Sequence, residues 1–416
     1  MSKSIQSAFG MALSSAFLLW GYEILRSSSM AMIKGAYGSS IVLILLMLSP
    51  IVLTCTLLLQ SYILRRIGPR KTFLTLGLTA AVSILCCWVG IQYQWKPSFI
   101  GLGLLQECYG LLLIEQYWSH INSIMTVPEG KKFNGRIMAI STLGGISGGF
   151  CLKFLVQSFG SEMMPLITAG SMIPTLLLAN FCFKLCPVTT NKFDSHKEQQ
   201  KPQWVLFKEN RLLLSLLLMV GASQIYSAVV TVHFHTALQD AIPNVDEQTA
   251  WGGLFFSSLH IAALFSQLVL SPLLLKSLKP KQILWGIPIV QGFVFFLSQS
   301  TNLALPAAAS AMMLFKCFDY SIFRTSKETL YIPMNFEERY IAKGWIDVLG
   351  YRFGKALGSL GISAFTALGF THPFIISALG FTSLGLWFKG ATNTKCSHNA
   401  AESYAATNLE PATSTS

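Results

Sequence analysis

The chain has 416 residues, of which 52% are hydrophobic and only 12% are charged, and its formal net charge at neutral pH is +12. Its mean hydropathy is +0.53. A chain with so few charged residues cannot cover a globule of this length with polar surface. The composition therefore excludes a soluble globular protein and indicates a polytopic membrane protein.

Apolar runs long enough to cross a bilayer recur along the sequence, since a spanning helix needs about 20 mostly apolar residues. In the first half they lie at 8–30, 39–64, 73–92, 99–124, 137–158 and 164–186. Six more begin near residues 212, 250, 283, 303, 345 and 372. We therefore predict an all-α membrane protein with twelve transmembrane helices. Its parts are a six-helix half at 1–186, a linker at 187–211, a second six-helix half at 212–389 and a disordered tail at 390–416.

Basic residues concentrate in alternate loops between these runs. One set of loops holds Arg65, Arg66, Arg70, Lys71, Lys131, Lys132, Arg136, Lys276, Lys279, Lys281, Arg339 and Lys343, together with the linker, whereas the opposite loops carry only Lys34 and Lys96. Because Lys and Arg near span ends stay in the cytoplasm, both termini are expected there. The positive net charge reflects this bias in topology, and no nucleic-acid partner is inferred from it.

The basic loops also repeat between the halves. Arg65 and Lys276 begin the loops after the second and eighth spans and are 211 positions apart. Lys132 and Lys343, after the fourth and tenth spans, have the same separation of 211. Two six-helix halves in parallel repeat are the plan of major facilitator transporters, whose substrate site lies between the halves near the midplane. The loop from Leu64 to Lys71 resembles the basic loop of that superfamily but lacks its usual Asp.

Two spans carry glycines at intervals of three or four residues. They are Gly144, Gly145, Gly148 and Gly149 in the fifth span, and Gly350, Gly354 and Gly358 in the eleventh. Small residues on one helix face let two backbones approach closely within a membrane. We predict that these glycines form close helix contacts.

Charged residues within the spans are the strongest functional signal, because each ion in hydrocarbon costs at least ~2.5 to 3.5 kcal/mol. The cations are Arg26, Lys153, Lys316, Arg324, Lys327, Arg352 and Lys355, and the acids are Glu23, Glu107, Glu115, Asp319, Glu328 and Asp347. One interpretation is structural ion pairing, of Glu23 with Arg26, Lys316 with Asp319 and Asp347 with Arg352. The other is an anion site, favoured by Lys34 and the basic loops, since several desolvated Lys or Arg donors suit a phosphate group.

One stretch resembles the signature of a known family. Ser326-Lys-Glu-Thr-Leu-Tyr-Ile-Pro-Met334 is followed by Glu337-Glu-Arg339, Lys343-Gly344, Asp347-Val348, Arg352 and Gly354-Lys355. In that order these residues are similar to the signature of the ATP/ADP translocase family, the non-mitochondrial nucleotide transporters of intracellular bacteria and plastids. Weaker similarity to the same family runs through Tyr22–Arg26 and Val127–Phe133.

The resemblance implies exchange of ATP for ADP by alternating access, or import of nucleotides with protons, in a bacterial inner membrane. It implies that Lys327 binds substrate, with Glu115 at or beside a family Glu. Our full set of candidate substrate-binding residues is Lys327, Glu328, Arg352, Lys355, Asp347, Glu115 and Arg26. Ser29 stands where the family has a Lys, and Thr231 where it has a Glu. A divergent carrier of another nucleotide or anionic metabolite, or a non-transporting membrane protein of the same fold, therefore stays open.

Other chemistry finds little support in the sequence. No nucleophile has a neighbouring base, so we expect no enzyme, and no Gly-rich loop followed by Lys-Ser or Lys-Thr indicates nucleotide hydrolysis. His233 and His235 face differently on a helix, and His260 and His372 are isolated, so we expect no metal site. We expect no cofactor and a monomer, whose partners are the lipid bilayer and a nucleotide or other anionic small molecule.

Overall fold

The computed structural model describes residues 2–187, 210–300, 304–331 and 346–407. Within these ranges the regular structure is helical throughout, which confirms the predicted all-α class. The predicted linker falls almost wholly on 188–209, outside the described residues. The motif residues Glu337, Arg339, Lys343 and Gly344 lie outside them as well.

The first predicted half is helical at all six predicted spans. The helices are α1 (Lys3–Tyr37), α2 (Ile41–Gln92), α3 (Lys96–Ile124), α4 (Val127–Phe159) and α5 (Met164–Leu185). The long α2 combines the second and third predicted spans. It bends at Gly68, whose φ of 77° is open to glycine but strained for other residues, and Pro69 begins the next segment.

The remaining described chain is also helical, with several π-helical turns. The helices are α6 (Arg211–Ala241), α7 (Val245–Phe265), α8 (Ser271–Ser277), α9 (Pro280–Ser300), α10 (Ala304–Phe318), α11 (Arg324–Tyr331), α12 (Gly354–Ala367) and α13 (His372–Thr407). The π-helical turns are Ser266–Leu270, Asp319–Phe323 and Ile346–Phe353. Each turn leads directly into the helix that follows it.

Nine helices in the described ranges are long and apolar enough to cross a membrane. One of the nine is the bent α2, which accounts for two predicted spans. The number twelve remains a prediction. At the carboxyl end, α13 continues to Thr407, whereas the sequence predicted a disordered tail from 390. Alanines at 400, 401, 405 and 406 favour a helix there.

Several basic residues predicted to lie in loops are in helices, among them Arg65 and Lys71 in α2, Lys96 in α3 and Lys276 in α8. Lys34 lies in the last turn of α1 rather than in a loop, and it is only 1% exposed. The helix runs on to Tyr37 because Gly38, at φ 79°, ends it in the left-handed region and donates its N–H to the Lys34 carbonyl at 2.7 Å. The ammonium of Lys34 therefore belongs to the carboxyl end of α1, where a cation complements the helix dipole.

The chain forms two compact units. Unit 1 comprises residues 1–195 and 235–264. In it α1 is the central helix and packs against α3, α4 and α5. Its apolar core includes Leu18, Leu25, Phe73, Tyr117 and Phe183.

Unit 2 comprises residues 196–234 and 265–416. In it α9 packs against α10 and α13. The indole of Trp387 is 1% exposed and meets the rings of Tyr226, Phe315 and Phe323, with centroids 5.3 to 6.4 Å apart. These aromatic contacts pack α13 against α6, α10 and the π-helical turn Asp319–Phe323.

The predicted glycine contacts are confirmed in both units. A Cβ placed on Gly144 or Gly148 would lie 2.0 or 2.4 Å from the backbone oxygen of Ala16 or Trp20 on α1. Gly149 meets Ser257 and Gly253 of α7 in the same way. In unit 2, Gly350, Gly354 and Gly358 lie against α6 between Val220 and Ala228. The absence of a side chain lets these helices touch backbone to backbone.

Candidate functional site

Unit 1 contains a buried cluster of charge on two helices, α1 and α7. Glu23 is 1% exposed, and its two carboxylate oxygens have different partners. Oε2 accepts a hydrogen bond from Arg26 on the same helix, and Oε1 lies 2.7 Å from Nε2 of His260 on α7. The carboxylate therefore joins the two helices within an apolar unit.

Aromatic rings surround this cluster. The guanidinium carbon of Arg26 lies 3.5 Å from the ring centroid of Phe256 and 5.7 Å from that of Tyr22. A cation over a desolvated ring gains up to about 2 kcal/mol. Gln106 on α3 donates to the Tyr22 hydroxyl at 3.0 Å. The cation is thus held by one carboxylate and two rings.

Gly145 of α4 packs beside the cluster, and an added Cβ there would make ordinary van der Waals contacts. A Cβ at this position of α4 would lie 3.5 Å from Glu23 Cγ and 3.6 Å from the His260 ring. One nitrogen of Arg26, Nε, is buried and has no hydrogen-bond partner among the described residues. The arrangement holds one ion pair and one histidine within hydrogen-bond distance of its carboxylate.

Sequence reasoning anticipated the pair of Glu23 with Arg26 but missed His260. The pair is three residues apart and so lies on one helix face. His260 is 237 positions from Glu23, and no spacing rule connects the two. The signal available in the sequence was His260 itself, a polar residue in a mostly apolar run, one helical turn after Phe256 and Ser257.

Unit 2 contains a second cluster, centred on Asp319. This carboxylate is 8% exposed, and four cations act on it electrostatically, Lys316, Lys355, Arg324 and Lys327. Its Oδ1 has no hydrogen-bond partner among the residues that the structure describes. Asp319 also opens a π-helical turn, a distortion that recurs at functional sites in helices.

Lys327 is the most deeply buried cation of this second cluster. It is 1% exposed, and its Nζ lies 4.8 Å from the ring centroid of Tyr351. Lys316 is 8% exposed, with its Nζ 5.5 and 5.7 Å from the rings of Phe315 and Tyr320. Each ammonium group therefore has a cation–π contact with at least one aromatic ring.

Some of the candidate substrate-binding residues lie in these two clusters, and the others lie elsewhere in the chain. Lys327 and Lys355 lie by Asp319, and Arg352 is half-buried in the π-helical turn Ile346–Phe353, which also contains Asp347. The side chain of Asp347 lies outside what the structure describes.

The other three candidates differ in exposure. Glu328 is half-buried on α11, Glu115 is exposed on α3, and Arg26 belongs to the cluster of unit 1. The structure therefore places Lys327 and Lys355 by Asp319 and ties Arg26 to Glu23, as the ion-pair interpretation expected.

Sequence comparisons agree with the resemblance. Residues 284–381 match the model of a family described as TLC ATP/ADP transporter. An ADP,ATP carrier protein 1 of Chlamydia muridarum is 23% identical over 358 residues, which cover 73% of this chain and 66% of that protein. A chloroplastic ADP,ATP carrier protein 2 of Arabidopsis thaliana is 24% identical over 352 residues, covering 73% of this chain and 55% of the relative.

The match thus spans somewhat less than two thirds of the Chlamydia muridarum relative's length and about half of the plastid one's. The predicted similarity to ATP/ADP translocases of intracellular bacteria and plastids is confirmed at low identity over most of the chain.

Solved structures resemble the fold. A mutant of the nucleoside transporter NupG has a TM-score of 0.68 at 14% identity, covering 94% of this chain and 99% of that one. The POT family transporter PepTSo has a TM-score of 0.63 at 12% identity, covering 97% and 99%. These likenesses confirm the major facilitator-like architecture.

Proposed function

We propose that this chain is an integral membrane transporter that exchanges ATP for ADP by alternating access. The observation that carries the proposal is the match of residues 284–381 to the TLC ATP/ADP transporter family, because this range contains the whole cluster around Asp319. Relatives from Chlamydia and plastids named ADP,ATP carrier proteins support the same substrates.

The charges of unit 2 support an anionic substrate. Four cations act on one buried carboxylate, and Lys327 is almost fully removed from solvent. A phosphate chain is a suitable counter-ion, because its oxygens accept charge-assisted hydrogen bonds from several Lys and Arg donors at once. We propose that Lys327, Arg352 and Lys355 bind the phosphates and that Glu328 and Asp347 offset only part of their charge when substrate is absent.

The same charges support exchange rather than free flux. An empty site would carry excess positive charge through a closed, low-dielectric state, where each uncompensated ion costs several kcal/mol. Bound substrate lowers that barrier by neutralising the site. Transport should then require a nucleotide on each side of the membrane.

A second candidate, a carrier of another nucleotide or anionic metabolite, is favoured by Ser29 and Thr231. Ser29 is fully buried, and its hydroxyl donates to the Arg26 carbonyl at 3.4 Å, so it offers no cation where the resemblance expects a Lys. A site that loses a charged contact changes which ligand it prefers, because specificity depends on paired buried polar groups.

Reconstituted liposomes test the proposal. The full chain, in liposomes loaded with ADP, should take up labelled ATP, and empty liposomes should take up little. Lys327→Ala should lower uptake at least about 30-fold, because losing one partner of a buried charged contact costs about 2 kcal/mol or more. Lys276→Ala, at an exposed position of α8, is the matched control and should transport normally.

Competitors separate the two candidates. Unlabelled ADP should compete best if ATP/ADP exchange is correct, whereas stronger competition by another nucleoside triphosphate, a sugar phosphate or a dicarboxylate would favour the second candidate. Equal uptake into loaded and empty liposomes would contradict exchange. Normal uptake by Lys327→Ala would contradict the assignment of the phosphate site.

A further inference from the structure

A basic cavity of about 390 Å³ in unit 1 is lined by the bend of α2 and by the carboxyl end of α5 with the residues that follow it. The described residues that line it are Ile67, Gly68, Pro69, Arg70, Lys71, Phe183, Lys184 and Pro187. Three of them are basic and none is acidic. Within the described part of the chain, none of the three basic side chains forms an ion pair with an acid. The cavity therefore presents uncompensated positive charge.

Gly68 shapes this cavity by interrupting α2. Its φ of 77° is not helical, and Pro69 begins the next segment, so Arg70 and Lys71 stand in a first helical turn. The amino end of that segment and the carboxyl end of α5 have helix dipoles of opposite sign, so their effects on an anion in the cavity offset each other. The attraction for an anion therefore comes from the basic side chains.

A hydrogen bond from α2 to α5 positions Arg70 at this cavity. Its Nε donates to Oδ1 of Asn180 at 2.9 Å, and its two terminal nitrogens have no hydrogen-bond partner among the residues that the structure describes. A guanidinium oriented in this way can donate two hydrogen bonds to one phosphate group. The two helices pack closely beside it, with the rings of Phe73 and Phe183 5.8 Å apart. This packing fixes where the guanidinium lies.

Exposed apolar side chains lead away from the basic residues on both helices. At helical spacing they share a face with a basic residue of the cavity. They are Ile173, Leu177 and Phe181 with Lys184 on α5, and Leu78 and Val82 with Lys71 on α2. The exposed fractions of these five apolar side chains are 51–64%. Apolar surface of this kind marks a face that lipid covers. Each helix therefore offers an apolar surface for acyl chains that ends at a cation.

We propose that this cavity binds the phosphate of an anionic phospholipid, with Arg70, Lys71 and Lys184 as donors and the acyl chains over the apolar faces of α2 and α5. Basic pockets between transmembrane helices suit such headgroups. The basic loops of this sequence are predicted to be cytoplasmic, so the lipid belongs to the cytoplasmic leaflet, which carries anionic lipids. A zwitterionic lipid fits less well, because its own amine offsets the phosphate. The site does not depend on the proposed nucleotide exchange.

Native mass spectrometry of the full-length chain tests the lipid site. The protein in dodecyl maltoside is titrated with phosphatidylglycerol or with phosphatidylcholine of identical acyl chains. Wild type should bind one phosphatidylglycerol at least about tenfold more tightly than phosphatidylcholine. The triple variant Arg70→Gln/Lys71→Gln/Lys184→Gln should bind phosphatidylglycerol on the order of 100-fold more weakly than wild type, since each Lys or Arg near a lipid surface contributes about a factor of five. Equal affinity of wild type for the two lipids would overturn the proposal.

A second triple variant is the matched control, because it removes the same charge at exposed positions outside the cavity. Its substitutions are Arg136→Gln, Lys276→Gln and Lys279→Gln. It should bind phosphatidylglycerol as wild type does, and an equal loss in both triple variants would contradict the site. Single substitutions separate charge from shape. Lys184→Gln should weaken binding about fivefold, whereas Lys184→Arg should retain it.

Photo-crosslinking of wild type decides the site even if the triple variant does not fold. A phosphatidylglycerol with a diazirine at the start of one acyl chain, in phosphatidylcholine nanodiscs that hold the full chain, should label peptides containing Ile67 or Phe181. Labelling confined to other peptides would refute the site. Millimolar inorganic phosphate should leave the labelling unchanged. Loss of labelling with phosphate, but not with sodium chloride of the same ionic strength, would overturn the lipid assignment and indicate a site for a soluble anion.

Discussion

Gly148 on α4 provides a direct test of how unit 1 is packed. In Gly148→Ala the new Cβ would lie 2.4 Å from the Trp20 carbonyl oxygen, about 1 Å short of the 3.4 Å at which ordinary contact begins. The obstacle is backbone, which cannot rotate away as a side chain can. The two helices must separate, and overpacking of this kind costs about 1–3 kcal/mol.

The matched control for this variant is Gly170→Ala on α5. No atom lies within 4 Å of the Cβ that this substitution adds. Alanine removes backbone freedom from the unfolded chain and should stabilise by about 0.4–1 kcal/mol. The two substitutions add the same methyl group, so the difference between them isolates the contact of α4 with α1.

The assay is unfolding of the full chain in detergent micelles, followed by circular dichroism during heating. Gly148→Ala should unfold at a lower temperature than wild type, since about 1 kcal/mol shifts the midpoint by roughly 2–4 °C in domains of 150–250 residues. Gly170→Ala should unfold at or above the wild-type temperature. A Gly148→Ala midpoint equal to that of Gly170→Ala would refute the backbone contact.

Two further predictions concern the start of α4 and the core of unit 2. Hydrogen bonds from the Thr126 N–H and hydroxyl lower the pKa of the Glu129 carboxyl. This cap therefore stabilises α4 fully above the ordinary Glu pKa, and the stabilisation is lost as pH falls through the lowered pKa. Amide hydrogen exchange in the first turn of α4 should accelerate on acidification in wild type and much less in Glu129→Ala. Trp387→Ala should destabilise the chain by about 3–5 kcal/mol, measured by the same heating assay, because the buried indole fills the space between three rings. An unchanged midpoint would contradict that packing.

Much of the fold could be predicted because its signals are local. Apolar runs of about 20 residues marked the helices, and glycines three or four positions apart marked the contacts of α4 with α1. Helix ends were less accurate, since they depend on single residues. Gly38 ends α1 four residues after Lys34, and Gly68 bends α2 where the sequence predicted a loop between two spans.

The candidate site was predictable only in part. The cations of unit 2 are close in sequence or on neighbouring predicted spans, so Lys327 and Lys355 could be grouped before the structure placed both by Asp319. The pairing of Glu23 with His260 joins residues far apart in the chain, and only tertiary packing brings them to 2.7 Å. Local spacing contains no information about such a contact.

The seam between α1 and α4 limits how this sequence can evolve. At 23% identity to a chlamydial relative, most of the matched positions differ between the two chains, so many side chains are free to change. Gly144 and Gly148 have no such freedom, because even one methyl group would collide with the peptide backbone of α1. A substitution at either glycine is tolerated only if α1 shifts at Ala16 or Trp20 at the same time. Residues 16–20 and 144–148, which are far apart in the gene, must therefore change together.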